Sequence, residues 1–190
     1  MHESQNDQTR REDLVQRIEP ASTWADIAVP EQQLRILREL AADAAQHLQV
    51  KSSPDRGIIA LFAGASRTRK TMAAEVLARD LHRELYRIDL TRVVSTYIGE
   101  TEKNLSHIFT ELAASRPILF FDEADALFGK RSAVKDSHDR YANIEVSYFL
   151  QRVEEYRGLV ILAAKSSHEC AHALPPRKTF VVEFALPDAD

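Results

Sequence analysis

With 190 residues, 44% of them hydrophobic and 28% charged, the chain is long enough for one domain with a sizeable core and has an ordinary globular composition. Its net charge of -4 and pI near 6.0 supply no global attraction to nucleic acid or to an anionic membrane, so neither is expected as a partner. Cys170 is the only cysteine, which excludes an intrachain disulfide, and no signal-type apolar core or apolar run of membrane-spanning length is present, so a reducing, cytoplasmic location is expected.

Residues 1–20 are polar, with scattered Leu14, Val15 and Ile18, and read as a mobile tail ending at Pro20. Residues 21–50 read as a linker and an amphipathic helix: Pro30 opens it, and Leu34, Leu37, Ala41, Ala44 and Leu48 recur at helical spacing. After the breaker-rich Ser52-Ser53-Pro54-Asp55 the pattern becomes alternating strand and helix, marking an α/β domain over 55–190.

Ile58 to Phe62 is a continuous apolar run, as in a buried parallel strand, and Thr71 to Arg83 reads as the helix after it. Leu85 to Leu90 is the next strand. Leu105, Ile108, Phe109 and Leu112 form a helical face stopped by Ser115-Arg116-Pro117, and Ile118 to Phe121 is a third strand. Val146, Phe149, Leu150 and Val153 repeat the helical face before Gly158 and the strand Leu159 to Ala163; a last strand spans Phe180 to Phe184. Strands separated by helix-length segments predict a doubly wound parallel sheet with its active loops at the strands' carboxyl ends.

Two segments carry chemistry. Gly64-Ala65-Ser66-Arg67-Thr68-Arg69-Lys70-Thr71 lies between a strand and a helix and keeps the first glycine, the lysine and the threonine of a phosphate-binding loop. In such a loop backbone N–H groups face the phosphates, lysine neutralises their charge, and the Thr71 hydroxyl would reach magnesium. The alternative is an arginine-rich loop with a chance Lys-Thr pair. At the end of the third strand, Asp122 would hold magnesium and Glu123 would polarise the attacking water, so ATP and Mg2+ are the expected cofactors. An isolated Asp-Glu pair could equally be a solvated acidic turn.

Thr71-Met-Ala-Ala-Glu-Val-Leu-Ala, Tyr86-Arg-Ile-Asp-Leu, Tyr97-Ile-Gly-Glu-Thr-Glu-Lys-Asn-Leu and Phe121-Asp-Glu-Ala-Asp-Ala-Leu-Phe-Gly-Lys-Arg follow one another in an order that resembles the large subdomain of AAA+ ATPases of the protein-remodelling type, from Trp24 to Pro187. The resemblance implies a P-loop NTPase-like three-layer sandwich with a five-stranded parallel sheet and helices on both faces. It also implies ATP binding and hydrolysis coupled to protein remodelling in a homo- or hetero-oligomeric ring, with a protein as substrate. Tyr97, Ile98 and Gly99 match the pore loop that grips polypeptide, although Tyr97 before a glycine could pack locally. Gly129-Lys130-Arg131 falls at a second pore-facing loop, with a solvated charge run as the alternative. Arg140 falls in a segment leading to the subunit interface, where the alternative is a helix capped by Asp139. The chain ends at Asp190, where the resemblance places the start of a helical lid. Asp122-Glu-Ala-Asp125 also spells an RNA-helicase motif, but the helicase companions are absent.

The departures from the family cluster on catalysis. Arg67 and Arg69 stand where the family has glycine, Lys165 stands at the sensor asparagine, and Arg177, within Pro175-Pro176-Arg177-Lys178, is the remaining candidate for the arginine finger. If both loop positions require a left-handed backbone, the substitutions cost about 1–2 kcal/mol each, together roughly 10²-fold in affinity. The two guanidinium groups could attract phosphate, or fold onto Asp122 and Glu123 and occupy the magnesium site. Lys165 could compete for Glu123. Weakened nucleotide binding and strongly impaired hydrolysis are therefore expected, with a non-catalytic interaction or regulatory subunit, or an eroded inactive fragment, as alternatives. His168, Cys170 and His172 alternate, but their spacing is not a usual zinc pattern.

Overall fold

The computed structural model describes residues 14–49, 57–129, 137–174 and 178–184. Its centre is a six-stranded sheet made of β1 (Val15–Ile18), β2 (Ile58–Ala63), β3 (Leu85–Asp89), β4 (Ile118–Asp122), β5 (Leu159–Ala164) and β6 (Thr179–Glu183), in the order β1-β3-β4-β5-β2-β6. The five strands β2 to β6 are mutually parallel, as the sequence predicts. The sixth, β1, was not predicted. It pairs antiparallel with β3, Val15 opposite Ile88 and Ile18 opposite Leu85, so residues assigned to the tail instead lengthen the sheet.

The helices are α1 (Glu31–Gln49), α2 (Arg67–Asp80), α3 (Leu90–Val93), α4 (Glu100–Leu112), α5 (Asp125–Phe128), α6 (Ser137–Glu155) and α7 (Ser167–Ala171), with a short 3-10 turn at Trp24–Asp26. Side-chain alternation along the strands divides the core in two. Ala60, Phe62, Phe120, Ile161 and Val182 face one side, where Leu37, Leu40 and Ala44 of α1 and Ala73, Ala74 and Leu77 of α2 cover them. Ile59, Leu61, Ile88, Phe121 and Leu162 face the other, against Leu105, Ile108 and Phe109 of α4 and Val146, Phe149 and Val153 of α6. The result is the predicted three-layer sandwich, and the carboxyl ends of β2, β4 and β5 lie side by side.

The segment before α1 is tied to α2. Glu75 Oε2 accepts from the backbone N–H of Ala21 (3.3 Å) and Ser22 (3.1 Å) and from the Ser22 hydroxyl (2.8 Å), while Arg79 donates to the Ala21 carbonyl at 3.2 Å. Charge-assisted bonds at this partly exposed site stabilise by about 1–2 kcal/mol in all. Glu75→Ala is expected to lower stability by that amount and to deprotect the Ala21 and Ser22 amides in hydrogen exchange. Unchanged exchange at those amides would contradict the assignment.

Candidate functional site

The loop after β2 is fixed by backbone contact. Gly64 has φ +129, and a Cβ there would lie 2.1 Å from the Phe184 carbonyl oxygen, so this position requires glycine. Ser66 then caps α2 by accepting from the Arg69 N–H at 3.4 Å. The helix therefore begins at Arg67, one turn before the predicted Thr71, and Arg67 and Arg69 both lie in helical conformation. The left-handed strain considered for them is not incurred, and any cost lies in side-chain bulk and charge.

Lys70 is directed inward. Its ammonium donates to the carbonyls of Gly64 and Ala164, both at 2.8 Å, joining the ends of β2 and β5. It is 5% exposed, and burial holds its pKa below the ordinary lysine value despite the opposing carboxylates of Asp122, Asp125 and Glu123. Thr71 follows in α2, half-buried beside it.

Asp122 closes β4 and is 1% exposed. Its Oδ2 accepts from Arg67 Nε at 2.9 Å, from Arg87 Nε at 3.0 Å and from a terminal nitrogen of Arg87, and its Oδ1 accepts from the Glu123 N–H at 3.0 Å. Arg67 thus folds onto Asp122. Glu123 lies half-buried in the left-handed region at φ +55, an uncommon conformation for a non-glycine residue. The Ala124 N–H donates to the Ala163 carbonyl and the Ala126 N–H to the Glu123 carbonyl, both at 2.9 Å, and these bonds hold the turn. The two arginines take up Oδ2, so in this arrangement a divalent ion would have to displace Arg67 or share Oδ1 with the Glu123 N–H.

Arg87 was missed by sequence reasoning. Its place follows from the sheet: β3 and β4 pair with Arg87 opposite Phe120 and Asp89 opposite Asp122, so strand alternation puts Arg87 on the Asp122 face.

Lys165 does not reach Glu123, and no ion pair joins them among the described residues; its side chain is exposed, and its backbone N–H donates to Asp125 Oδ2 at 2.9 Å. The strand end turns there because Asp125 takes that amide. Tyr97 and Ile98 are 70% and 78% exposed, so Tyr97 does not pack locally. Gly99 follows at φ +80 and starts α4, and Ser95 braces the loop by donating to Glu100 at 2.6 Å and accepting from the Tyr97 N–H at 3.1 Å. His168 and His172 pack edge to face at 4.7 Å beside buried Cys170, and the described residues contain no group of three potential metal ligands. Arg140 belongs to α6; Arg177, Lys130 and Arg131 lie outside the described residues. No helix among the described residues is long and apolar enough to cross a membrane.

The family model for the ATPase family associated with various cellular activities (AAA) matches residues 60–187, which include the Gly64 loop and the Asp122 turn. The chain belongs to the AAA family. It is 33% identical over 187 residues to an uncharacterised AAA family ATPase of Sinorhizobium fredii, covering 93% of this chain and 54% of that protein. To the cell division cycle protein 48 homolog of Archaeoglobus fulgidus it is 27% identical over 184 residues, covering 93% of this chain and 25% of that protein. The chain thus spans about half of the first relative and a quarter of the second. The FIGL-1 AAA domain, solved in complex with ADP, shares the fold with a TM-score of 0.62 at 20% identity, covering 93% of this chain and 60% of that one. AAA ATPases use ATP and Mg2+.

Proposed function

We propose that this chain is an AAA module of the protein-remodelling type whose nucleotide binding is weakened and whose hydrolysis is strongly impaired, and that it works within a homo- or hetero-oligomeric ring acting on a protein substrate in the cytoplasm. The observation that carries the reading is the Arg67–Asp122 bond of 2.9 Å, which engages the acid that the motif reserves for the metal. Gly64, Ala65, Ser66, Thr68 and Arg69 form the rest of the degenerate Walker A loop, with Lys70 on carbonyls and Thr71 behind it. In the Walker B strand Glu123 remains as the candidate base, and with the Lys165 side chain exposed the sensor position supplies no neutral group to orient water. The exposed Tyr97-Ile98-Gly99 loop supports polypeptide contact, while Arg140 and Arg177 are the candidate interface arginines. A non-catalytic subunit, assembled with ATP-hydrolysing relatives, is favoured by the same ion pair.

Magnesium-ATP binding and turnover of the whole chain, beside an Arg67→Gly, Arg69→Gly double variant, test this. The double variant is expected to bind at least tenfold more tightly, about 1.4 kcal/mol, because it leaves Arg87 as the one arginine on Asp122 and removes two side chains from the loop. Tight binding by the unaltered chain, with turnover that Glu123→Gln abolishes, would overturn the reading.

A further inference from the structure

Asp122 presents one oxygen to two arginines, and these arginines are not equivalent. Arg87 approaches from the neighbouring strand through two nitrogens, and its side chain is 21% exposed. Arg67 approaches from the first turn of the 14-residue α2 through Nε alone, with its side chain 52% exposed. Its terminal nitrogens are therefore not what holds it to the acid. A guanidinium tied to a carboxylate by one edge keeps further donors in a planar fork suited to phosphate oxygens. That is the bridging position, acid behind and phosphate ahead, for which nucleotide sites ordinarily use a divalent ion. Arg69 and Lys70 follow within the same helical turn, where backbone N–H groups add to the attraction for an anion.

We propose that Arg67 stands in for the divalent ion, so that this site takes a metal-free polyphosphate, a nucleoside di- or triphosphate without bound Mg2+. The inference rests on the nucleotide-site reading above and names the form of the ligand. Arg87 is the positioning residue that keeps Asp122 aligned. A chelated metal would bring a further cation to the Asp122 oxygen that Arg67 and Arg87 already share, so magnesium lowers affinity here instead of raising it.

The whole chain is titrated calorimetrically with ATP and with inorganic tripolyphosphate, once in excess Mg2+ and once in EDTA. Affinity in EDTA is expected to equal or exceed that in Mg2+. Arg67→Ala is expected to weaken metal-free binding about tenfold with a melting temperature lowered by at most about 4 °C, and Arg67→Lys to keep part of it. Binding tenfold tighter with Mg2+ in the unaltered chain overturns the proposal, as does Arg67→Ala binding tripolyphosphate as well as the unaltered chain. Absence of binding by either ligand in both conditions also overturns it, while leaving impaired hydrolysis standing. Magnesium-ATP turnover by the unaltered chain overturns impaired hydrolysis whichever way the metal ratio falls.

Discussion

Asp122→Ala is expected to destabilise the protein by about 3–5 kcal/mol, the range for removing one partner of a buried ion pair. The acid is 1% exposed and Arg87 is mostly enclosed, so the variant leaves a guanidinium between β3 and β4 with no carboxylate to answer it. Arg67, half in water, can rehydrate, and its own removal is expected to cost at most about 1 kcal/mol. The asymmetry is the informative part, because an acid kept only to await a metal would contribute little to folding. Urea unfolding of Asp122→Ala and Arg67→Ala reads both, and a loss under about 1 kcal/mol for Asp122→Ala would show that Arg87 finds another partner.

Phe149→Ala should cost a similar amount, about 3–5 kcal/mol, for a different reason. Its wholly buried ring stands edge-on to Phe121 at 5.0 Å, with Phe128 at 6.0 Å and Phe109 at 6.4 Å. One side chain of α6 thus braces β4, α5 and α4 together, and truncation leaves a cavity that three aromatic rings cannot close without moving. Phe121 directly precedes Asp122, so near-UV circular dichroism should weaken along with stability. Phe149→Leu, which keeps most of the volume, is expected to lose less than half as much. A loss below about 1.5 kcal/mol for Phe149→Ala would mean that the cluster repacks.

The parallel sheet was legible because each central strand is apolar on both faces, as in Ile58 to Phe62, and each covering helix shows its spacing, as in Leu105, Ile108, Phe109 and Leu112. β1 was not legible because its four residues place Val15 against one half of the core and Ile18 against the other, which leaves no alternation to read. The early start of α2 follows from Ser66 acting as a cap, which the motif reading of Gly64 to Thr71 overrode. At the site, Lys70 and Asp122 were found by motif, and the fold of Arg67 onto Asp122 was one of two open alternatives. Arg87 escaped because Tyr86-Arg-Ile-Asp-Leu was read only as a strand and a family match, and its role comes from strand register. The Lys165 to Glu123 contact was wrong in geometry, since Asp125 captures the Lys165 amide and the side chain leaves the turn.

β1 also bears on how this protein behaves in a crowded solution. A parallel sheet that stopped at β3 would expose the backbone donors and acceptors of Leu85 to Asp89 as a template for any extended chain. Four residues cover that border, and the strand they form is short and carries exposed Gln16 and Arg17. Arg17 pairs with Glu84 at 3.2 Å and Glu19 at 3.5 Å, adding charge along the rim. A short, charged outer strand is a poor seed for cross-β growth, so Val15–Ile18 give the sheet a border less suited to pairing with other chains than β3 would be.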